Sequence, residues 1–215
     1  MTIKSEKERA DKIFTILKKE YPGVKSALNF ETPFQLLIAT ILSAQCTDER
    51  VNIVTKTLFK KYKKPQYFIA VPSEELEKDI YSTGFYRQKA KSIKQCCQVL
   101  VDNYKGKVPP DFELLNKLPG VGRKTASVVA GNAFDIPAVA VDTHVKRLSN
   151  LLGFIKSNDP EKIELRLKEL LPEKDWVKAS HLLAAHGRKI CIARRPKCLK
   201  CVVGNYCPSF NPAND

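Results

Sequence analysis

The sequence predicts an all-α protein. Apolar residues recur at the spacing of amphipathic helices through almost the whole chain, while the strict alternation of a half-buried strand is nearly absent. Prolines and glycines interrupt the pattern at short intervals, which indicates short connections between helices. A chain of 215 residues with 43% hydrophobic content is long enough to form one or two compact cores.

The first two helices have clear sequence signals. One is predicted at 6–20, where apolar side chains lie on one side among charged residues. The next follows Thr32, an N-cap residue, and begins at Pro33, which is favoured in the first helical turn. Its dense apolar run continues through Gln45, so we expect a buried helix.

The same periodicity predicts eight further helices, at 48–62, 73–81, 86–103, 111–118, 122–133, 142–152, 159–170 and 173–187. After Cys191 the helical signals stop and cysteines cluster. No internal repeat and no long linker marks a domain boundary.

The charge balance favours a polyanionic partner. The chain has 37 Lys and Arg against 23 Asp and Glu, a formal net charge of +14. Between His186 and Ser209 there are basic residues and no acid, so this segment has a single sign of charge. Such a distribution is typical of nucleic-acid binding, with an ordinary basic surface as the alternative.

The chain shows no membrane or secretion signal. No stretch approaches the roughly 18 apolar residues of a membrane span, and the N-terminal segment lacks the apolar region of a signal peptide. We therefore expect an intracellular protein, cytoplasmic and associated with the nucleoid, of prokaryotic type. Seven cysteines, an odd number, argue against a disulfide framework and for metal binding or inert burial.

Four cysteines form a candidate metal centre. They follow the spacing C-x6-C-x2-C-x5-C, at Cys191, Cys198, Cys201 and Cys207. Four thiolates so close together can bind one tetrahedral metal ion or one iron-sulfur cluster. Zinc sites usually contain two C-x-x-C pairs, and this segment has one. The spacing alone leaves a cluster, a zinc ion and unliganded cysteines open.

The loop between Cys191 and Cys198 is strongly basic, with Arg194, Arg195 and Lys197. If both flanking cysteines bind the metal centre, the loop is a rigid way to present positive charge to phosphates. This interpretation gives the centre a structural role. The alternative is a loop that is basic by chance.

The stretch LPGVGRKTA, residues 118–126, predicts a helix-hairpin-helix. Gly120 and Gly122 permit positive φ, so successive amides can point outward, and the next helix adds its positive N-terminal end. Amides arranged in this way bind a phosphate without reading sequence. Arg123 adds charge beside the turn. A plain connection between two helices is the alternative.

Two residues are candidates for catalysis. Lys124 lies in the first turn of a predicted helix, where the helix dipole and partial burial would favour a neutral, nucleophilic amine. Phosphate binding is its alternative role. Asp142 follows an apolar extended run and opens a helix, as an N-cap does. A capping carboxylate is held rigidly, so it can also stabilise a developing cation.

Taken together, the motifs resemble the endonuclease III family, the iron-sulfur branch of the helix-hairpin-helix DNA glycosylases. The resemblance rests on LSAQCTD, TGFYRQKA, LPGVGRKTA, VDTHVKR, HGRKICIARRPKC and the cysteine spacing, in this order from about residue 28 to 208. It implies a six-helix domain at 25–136, with the hairpin at about 111–133. A second domain would combine 1–24 with 137–215 and carry a [4Fe-4S] cluster, with double-stranded DNA bound between the two.

The resemblance also implies a reaction. The protein would be a bifunctional DNA glycosylase and AP lyase of base excision repair that releases oxidised pyrimidines. Lys124 would attack C1′ of the deoxyribose and form a Schiff base, which permits cleavage 3′ to the abasic site by β-elimination. Asp142 would stabilise the cationic sugar. Relatives that act on mismatched adenine or thymine lack the lysine.

Gln45 and Phe85 match the family's wedge positions, which fill the gap left by a flipped nucleotide. Many relatives have Leu where this chain has Phe85. Without the resemblance, a surface glutamine and a core aromatic are the simpler interpretations. The three histidines, His144, His181 and His186, are expected to be structural.

The partner expected from this reading is duplex DNA with damaged bases or abasic sites, bound by a monomer. Three alternatives remain open at this point. The chain could be a monofunctional mismatch or uracil glycosylase, a DNA-binding module without catalysis, or an iron-sulfur electron carrier. The basic segment argues against the electron carrier.

Overall fold

The computed structural model describes residues 3–214, and these residues confirm the all-α prediction. They form eleven α-helices and short 3₁₀ turns, without a strand among them. In chain order the helices are α1 (Ile3–Glu20), α2 (Pro33–Leu42), α3 (Asp48–Lys61), α4 (Pro65–Ala70), α5 (Ser73–Ile80), α6 (Tyr86–Tyr104), α7 (Phe112–Asn116), α8 (Arg123–Ala133), α9 (Thr143–Leu151), α10 (Pro160–Leu170) and α11 (Trp176–Lys189).

The chain divides into two compact units. The central unit is Ser26–Ile136, and the terminal unit combines the segment up to Lys25 with the chain from Pro137 onward. Each unit has its own apolar core. None of the helices described within 3–214 is long and apolar enough to cross a membrane.

Helix α2 forms the centre of the central unit's core. Thr32 caps its N-terminus, with the hydroxyl accepting from the Gln35 amide at 3.2 Å. Every residue from Leu36 to Leu42 is buried, which confirms the expected buried helix. Helix α2 packs against α8, so the same core supports the turn that precedes α8.

The terminal unit is built around α1 and α11. Ile13 and Leu17 of α1 are fully buried with Leu182 and Leu183 of α11. The Arg9 guanidinium on α1 donates to the carbonyls of Leu152, Gly153 and Tyr206. One side chain therefore fixes the N-terminal helix to both the end of α9 and the cysteine segment.

The structure differs from the predicted helices most clearly at three places. Helix α2 ends at Leu42, three residues before Gln45, because the backbone turns left-handed at Gln45 (φ 52°). Helix α4, Pro65–Ala70, is absent from the predicted helices, since six residues are too few to show periodicity. The segment predicted at 173–187 opens with a 3₁₀ turn, closed by the Asp175 amide on the Pro172 carbonyl at 2.9 Å.

Candidate functional site

The predicted hairpin consists of α7, a short turn and α8. Asp111 caps α7 through its carboxylate, which accepts from the Leu114 amide at 2.8 Å. The turn is closed by the Val121 amide on the Leu118 carbonyl at 3.0 Å. Helices α7 and α8 pack against each other. The turn is therefore fixed at both ends before any ligand binds.

The two glycines of the turn have different backbones. Gly120 has φ +75°, and a Cβ there would lie 2.7 Å from the Ser92 Cβ. Gly122 has φ −91° and open space around its Cα, so the expected positive φ is wrong at this position. Gly122 is the N-cap of α8 and has no side chain to cover the amides that open the helix. Those amides remain approachable by a phosphate.

The two cations after the turn are in different settings. The Lys124 side chain lies in the first turn of α8 and is exposed, so the partial burial expected for it is wrong. The Arg123 guanidinium lies over the Phe112 ring, 5.3 Å from the centroid. That contact joins α8 to α7, while the Lys124 amine projects into solvent where a substrate could reach it.

Asp142 is the N-cap of α9, as predicted. Its carboxylate is half-buried and accepts from the Val145 amide at 2.7 Å. The segment before it is held to α11 by the Ala140 amide, which donates to the Ser180 hydroxyl at 3.0 Å. The Asp142 carboxylate is therefore fixed in position on two sides.

A histidine expected to be only structural lies within the electrostatic reach of Asp142. Burial lowers the pKa of His181, the Arg188 charge lowers it further, and the Asp142 carboxylate opposes both. Asp142 and Arg188 thus act in opposite directions on the pKa of His181 within the terminal unit. The sequence does not show that His181 and Asp142 are neighbours, because they are 39 residues apart.

Gln45 and Phe85 have an unusual conformation in common. Both adopt the left-handed region, with φ 52° and 48°, and both are exposed. Phe85 is 65% exposed, so the alternative of a core aromatic is wrong. An exposed aromatic ring on a left-handed backbone contributes little packing to the fold. The combination therefore indicates a role in binding a ligand.

The four clustered cysteines line one cavity of about 160 Å³. All four are free thiols, and they belong to Cys191, Cys198, Cys201 and Cys207. Within residues 3–214, no three His, Cys, Asp or Glu side chains are placed to hold a single metal ion. Burial raises the pKa of the Cys191 thiol to about 11, against the opposing charge of Arg147.

A buried histidine reaches this cavity. His186 is 1% exposed, its Nε2 lies 3.3 Å from the Cys201 sulfur, and its Nδ1 lies 2.9 Å from the Tyr21 hydroxyl. Burial lowers the pKa of His186 to about 4, so its imidazole is neutral at physiological pH. With the Tyr21 hydroxyl donating to Nδ1, the Nε2 proton faces the sulfur.

The basic loop is closed by its own backbone. The Lys197 amide donates to the Ile190 carbonyl at 3.0 Å, and Arg147 donates to the Cys191 carbonyl at 2.7 Å. The three predicted DNA-contacting cations of the loop are exposed: Arg194, Arg195 and Lys197. A closed loop with exposed guanidinium and ammonium groups can contact phosphates without large rearrangement.

Gly120→Ala should destabilise the protein, whereas Gly122→Ala should not. The first change forces a Cβ into a left-handed backbone and against Ser92, so we expect a loss of about 1 to 3 kcal/mol of unfolding free energy. At Gly122 a poorer N-cap and a stiffer unfolded chain offset each other, so the change stays within about 0.5 kcal/mol. Urea denaturation measures both, and equal losses would contradict the different roles of the two glycines.

The chain has clear similarity to known proteins. Residues 38–173 match the family model of the HhH-GPD superfamily base excision DNA repair protein. The endonuclease III of Synechocystis is 51% identical over 206 residues, which cover 95% of this chain and 94% of the relative. The endonuclease III of Bacillus subtilis is 47% identical, with coverage of 87% and 86%.

Solved structures agree with these relatives. A trapped endonuclease III-DNA covalent intermediate is similar with a TM-score of 0.92 and 46% identity, covering 95% of this chain and 96% of the other. A thermostable thymine-DNA glycosylase is more distant, with a TM-score of 0.83, 28% identity and coverage of 96% and 98%. Identity at this level over nearly the full length shows common descent and a common fold, so the chain belongs to the endonuclease III family of the HhH-GPD base excision repair superfamily.

Proposed function

We propose that this protein is a bifunctional DNA glycosylase and AP lyase that releases oxidised pyrimidines from duplex DNA. One observation carries the proposal: an exposed lysine, Lys124, lies in the first turn of α8, directly after the glycine turn whose helix-opening amides are accessible. Its relatives over nearly the whole chain are endonuclease III proteins, one of them trapped as a covalent intermediate with DNA.

The hairpin fixes the position of the DNA strand. The open amides at the start of α8 bind a backbone phosphate, and the N-terminal end of α8 adds positive potential. These contacts are independent of base sequence, as a repair enzyme requires. Arg194, Arg195 and Lys197 supply further phosphate contacts from the basic loop.

Lys124 is the nucleophile. The amine attacks C1′ of the damaged nucleotide, the glycosidic C–N bond breaks, and the base leaves with a proton. The C1′–O4′ bond of the resulting aminal then breaks, O4′ takes a proton from water, and the lysine is left as an iminium (protonated Schiff base) at C1′. The iminium loses a proton from C2′, and the 3′ C–O bond breaks as the phosphate leaves. The Asp142 carboxylate, fixed by the Val145 amide, stabilises the positive charge on the sugar.

Gln45 and Phe85 fill the gap that the flipped nucleotide leaves in the duplex. Their exposure and left-handed backbones support this role. A phenylalanine at this position, where many relatives have leucine, offers a flat ring that can stack on neighbouring bases. Stacking tolerates any sequence, which suits insertion at random sites of damage.

We also propose that the four cysteines bind a [4Fe-4S] cluster. A zinc ion would draw four sulfurs to about 2.3 Å from one point and leave no space between them. The thiols line, together with apolar side chains, a cavity of about 160 Å³, which has room for a larger group. When bound, the cluster supplies a rigid cross-link among four chain positions, and the loop between Cys191 and Cys198 is held at both ends.

The two compact units correspond in this proposal to two functional domains. Residues 25–136 form the domain with the hairpin and Lys124. Residues 1–24 and 137–215 form the domain with Asp142 and the cysteine cavity. The separate apolar cores on either side of Lys25 and Ile136 support these boundaries.

Lys124→Gln should abolish covalent trapping. With borohydride and a duplex containing thymine glycol, the wild-type protein should form a Schiff-base adduct, and the variant should form none. Base release should fall by about 1,000-fold or more, because the nucleophile is lost. Lys117→Gln is the matched control, since Lys117 is exposed beside the same turn. A trapped adduct with Lys124→Gln would refute the assignment, and base release without trapping in the wild type would indicate a monofunctional enzyme.

Asp142→Asn separates the catalytic role of the Asp142 charge from its structural role as a helix N-cap. Asparagine caps a helix as well as aspartate does, so the unfolding free energy should change by less than about 0.5 kcal/mol. Base release should nevertheless fall by about 100-fold, because the neutral amide no longer stabilises the cationic sugar. Single-turnover rates and thermal denaturation of the same samples test this, and a fully active variant would remove Asp142 from the mechanism.

The purified protein should be brown and contain about four iron atoms per chain. Cys198→Ser should lower both the iron content and the melting temperature, while Cys46→Ser, outside the cavity, should leave iron content unchanged. Metal analysis and visible absorption measure the effect. A colourless protein with one zinc ion per chain would show that the cluster assignment is wrong.

A further inference from the structure

A buried lysine lies between the two segments that carry Gln45 and Phe85. Lys89, on α6, is 5% exposed. Its Nζ donates to the carbonyl oxygens of Leu42 and Thr83, each at 2.8 Å. Both acceptors are backbone carbonyls of the central unit. The Lys89 ammonium therefore links two loops through these hydrogen bonds and does not form an ion pair with either acceptor.

Each acceptor stands at the end of a helical element. Leu42 is the last residue of α2, and its carbonyl belongs to the group that a helix leaves without an internal partner. Thr83 ends a 3₁₀ turn that begins at Tyr81. Gln45 follows Leu42 by three residues, and Phe85 follows Thr83 by two. The same ammonium therefore holds the starting points of both exposed, left-handed residues.

The left-handed conformation at these residues needs an external constraint. Residues other than glycine rarely adopt it, and they keep it only where the surrounding structure enforces it. Phe85, 65% exposed, has little packing of its own to enforce it. Two hydrogen bonds from one fixed, buried donor are a constraint of this kind.

Burying an ammonium is unfavourable unless backbone or acidic groups bind it. Burial indeed lowers the pKa of Lys89. An apolar side chain would fill the same space without this cost, but it would leave the two carbonyls without their donor. The two hydrogen bonds to these carbonyls, and not packing alone, therefore explain why a lysine is buried here.

We propose that Lys89 is a positioning residue that sets the two insertion loops, bearing Gln45 and Phe85, in the geometry needed to open the duplex. The inference rests on the proposed wedge roles of those two residues. It predicts that Lys89 acts on nucleotide flipping and not on the chemistry of the sugar, because both of its hydrogen bonds go to the starts of these loops.

The same helix provides a matched control. The Nζ of Lys94 donates to the carbonyls of Ile69 and Val71, where α4 ends. Lys94 is thus also a lysine of α6 that binds two backbone carbonyls at a helix end, but neither of its acceptors leads to Gln45 or Phe85. Lys89→Met and Lys94→Met remove equivalent interactions from different loops.

The experiment compares two substrates. Lys89→Met should release thymine glycol from a duplex about 10-fold or more slowly than wild type, since a small misplacement of a positioning group has effects of this size. It should cleave a single-stranded oligonucleotide with a preformed abasic site within about twofold of wild type, because that substrate needs no flipping. Lys94→Met should stay within about twofold on both. The fluorescence of 2-aminopurine next to the lesion should report reduced unstacking for Lys89→Met only.

Equal losses for the two lysine variants, or equal losses of Lys89→Met on both substrates, would overturn the proposal. If Lys89→Met does not fold, Lys89→Arg decides, because it keeps the donors but moves them further from the helix. Its duplex activity must then fall below that of Lys94→Arg while single-strand cleavage is kept. Gln45→Ala and Phe85→Ala test the wedge separately: if both leave base release unchanged, the wedge roles fail whatever the lysine variants show.

Discussion

The backbone groups at helix ends are the constraint on which this structure depends. Every α-helix leaves its first amides and last carbonyls without internal partners, and the eleven helices described within residues 3–214 have many such ends. Some are satisfied by side chains, as at Thr32 and Asp111. The functional candidates use the others. The hairpin offers amides to a phosphate, Asp142 uses a cap to fix its charge, and Lys89 binds the carbonyl at the end of α2.

The cysteine segment is held by a different means. From Ile190 to Asn214, the last residue that the structure describes, the only regular elements are 3₁₀ turns, and Val203 packs into the terminal unit's core. Cationic side chains from elsewhere also bind the carbonyls of this segment: Arg9 reaches Tyr206, and Arg147 reaches Cys191. The cavity among the thiols completes the arrangement, because a bound cluster adds its binding free energy to folding. Cofactor and fold would then be thermodynamically linked in the terminal unit.

Much of the architecture was readable from the sequence, because helix periodicity and capping are local. Thr32 and Asp142 cap the predicted helices, and α2 is buried as its composition indicates. What the sequence did not show depends on distant contacts. The left-handed turn at Gln45 that ends α2 and the left-handed Phe85 lie in two loops that Lys89 joins across the fold, and the extended Gly122 lies where α7 packs on α8. The neighbourhood of His181 and Asp142 likewise exists only after folding.

The conformational entropy that is lost in ordering the Phe85 loop is lost when the protein folds and not when it binds DNA. The Phe85 backbone is already fixed in a rare conformation without DNA, while its ring is in water. The conformational entropy of this loop is therefore lost when the protein folds, so, in the insertion role proposed for Phe85, less remains to be lost when the ring enters the base stack. This preorganisation bears on how the protein searches DNA for damaged bases as well as on its affinity for DNA. A preorganised ring can be pressed against each base pair without first being ordered. Only weakened pairs, such as those with damaged bases, open and admit it.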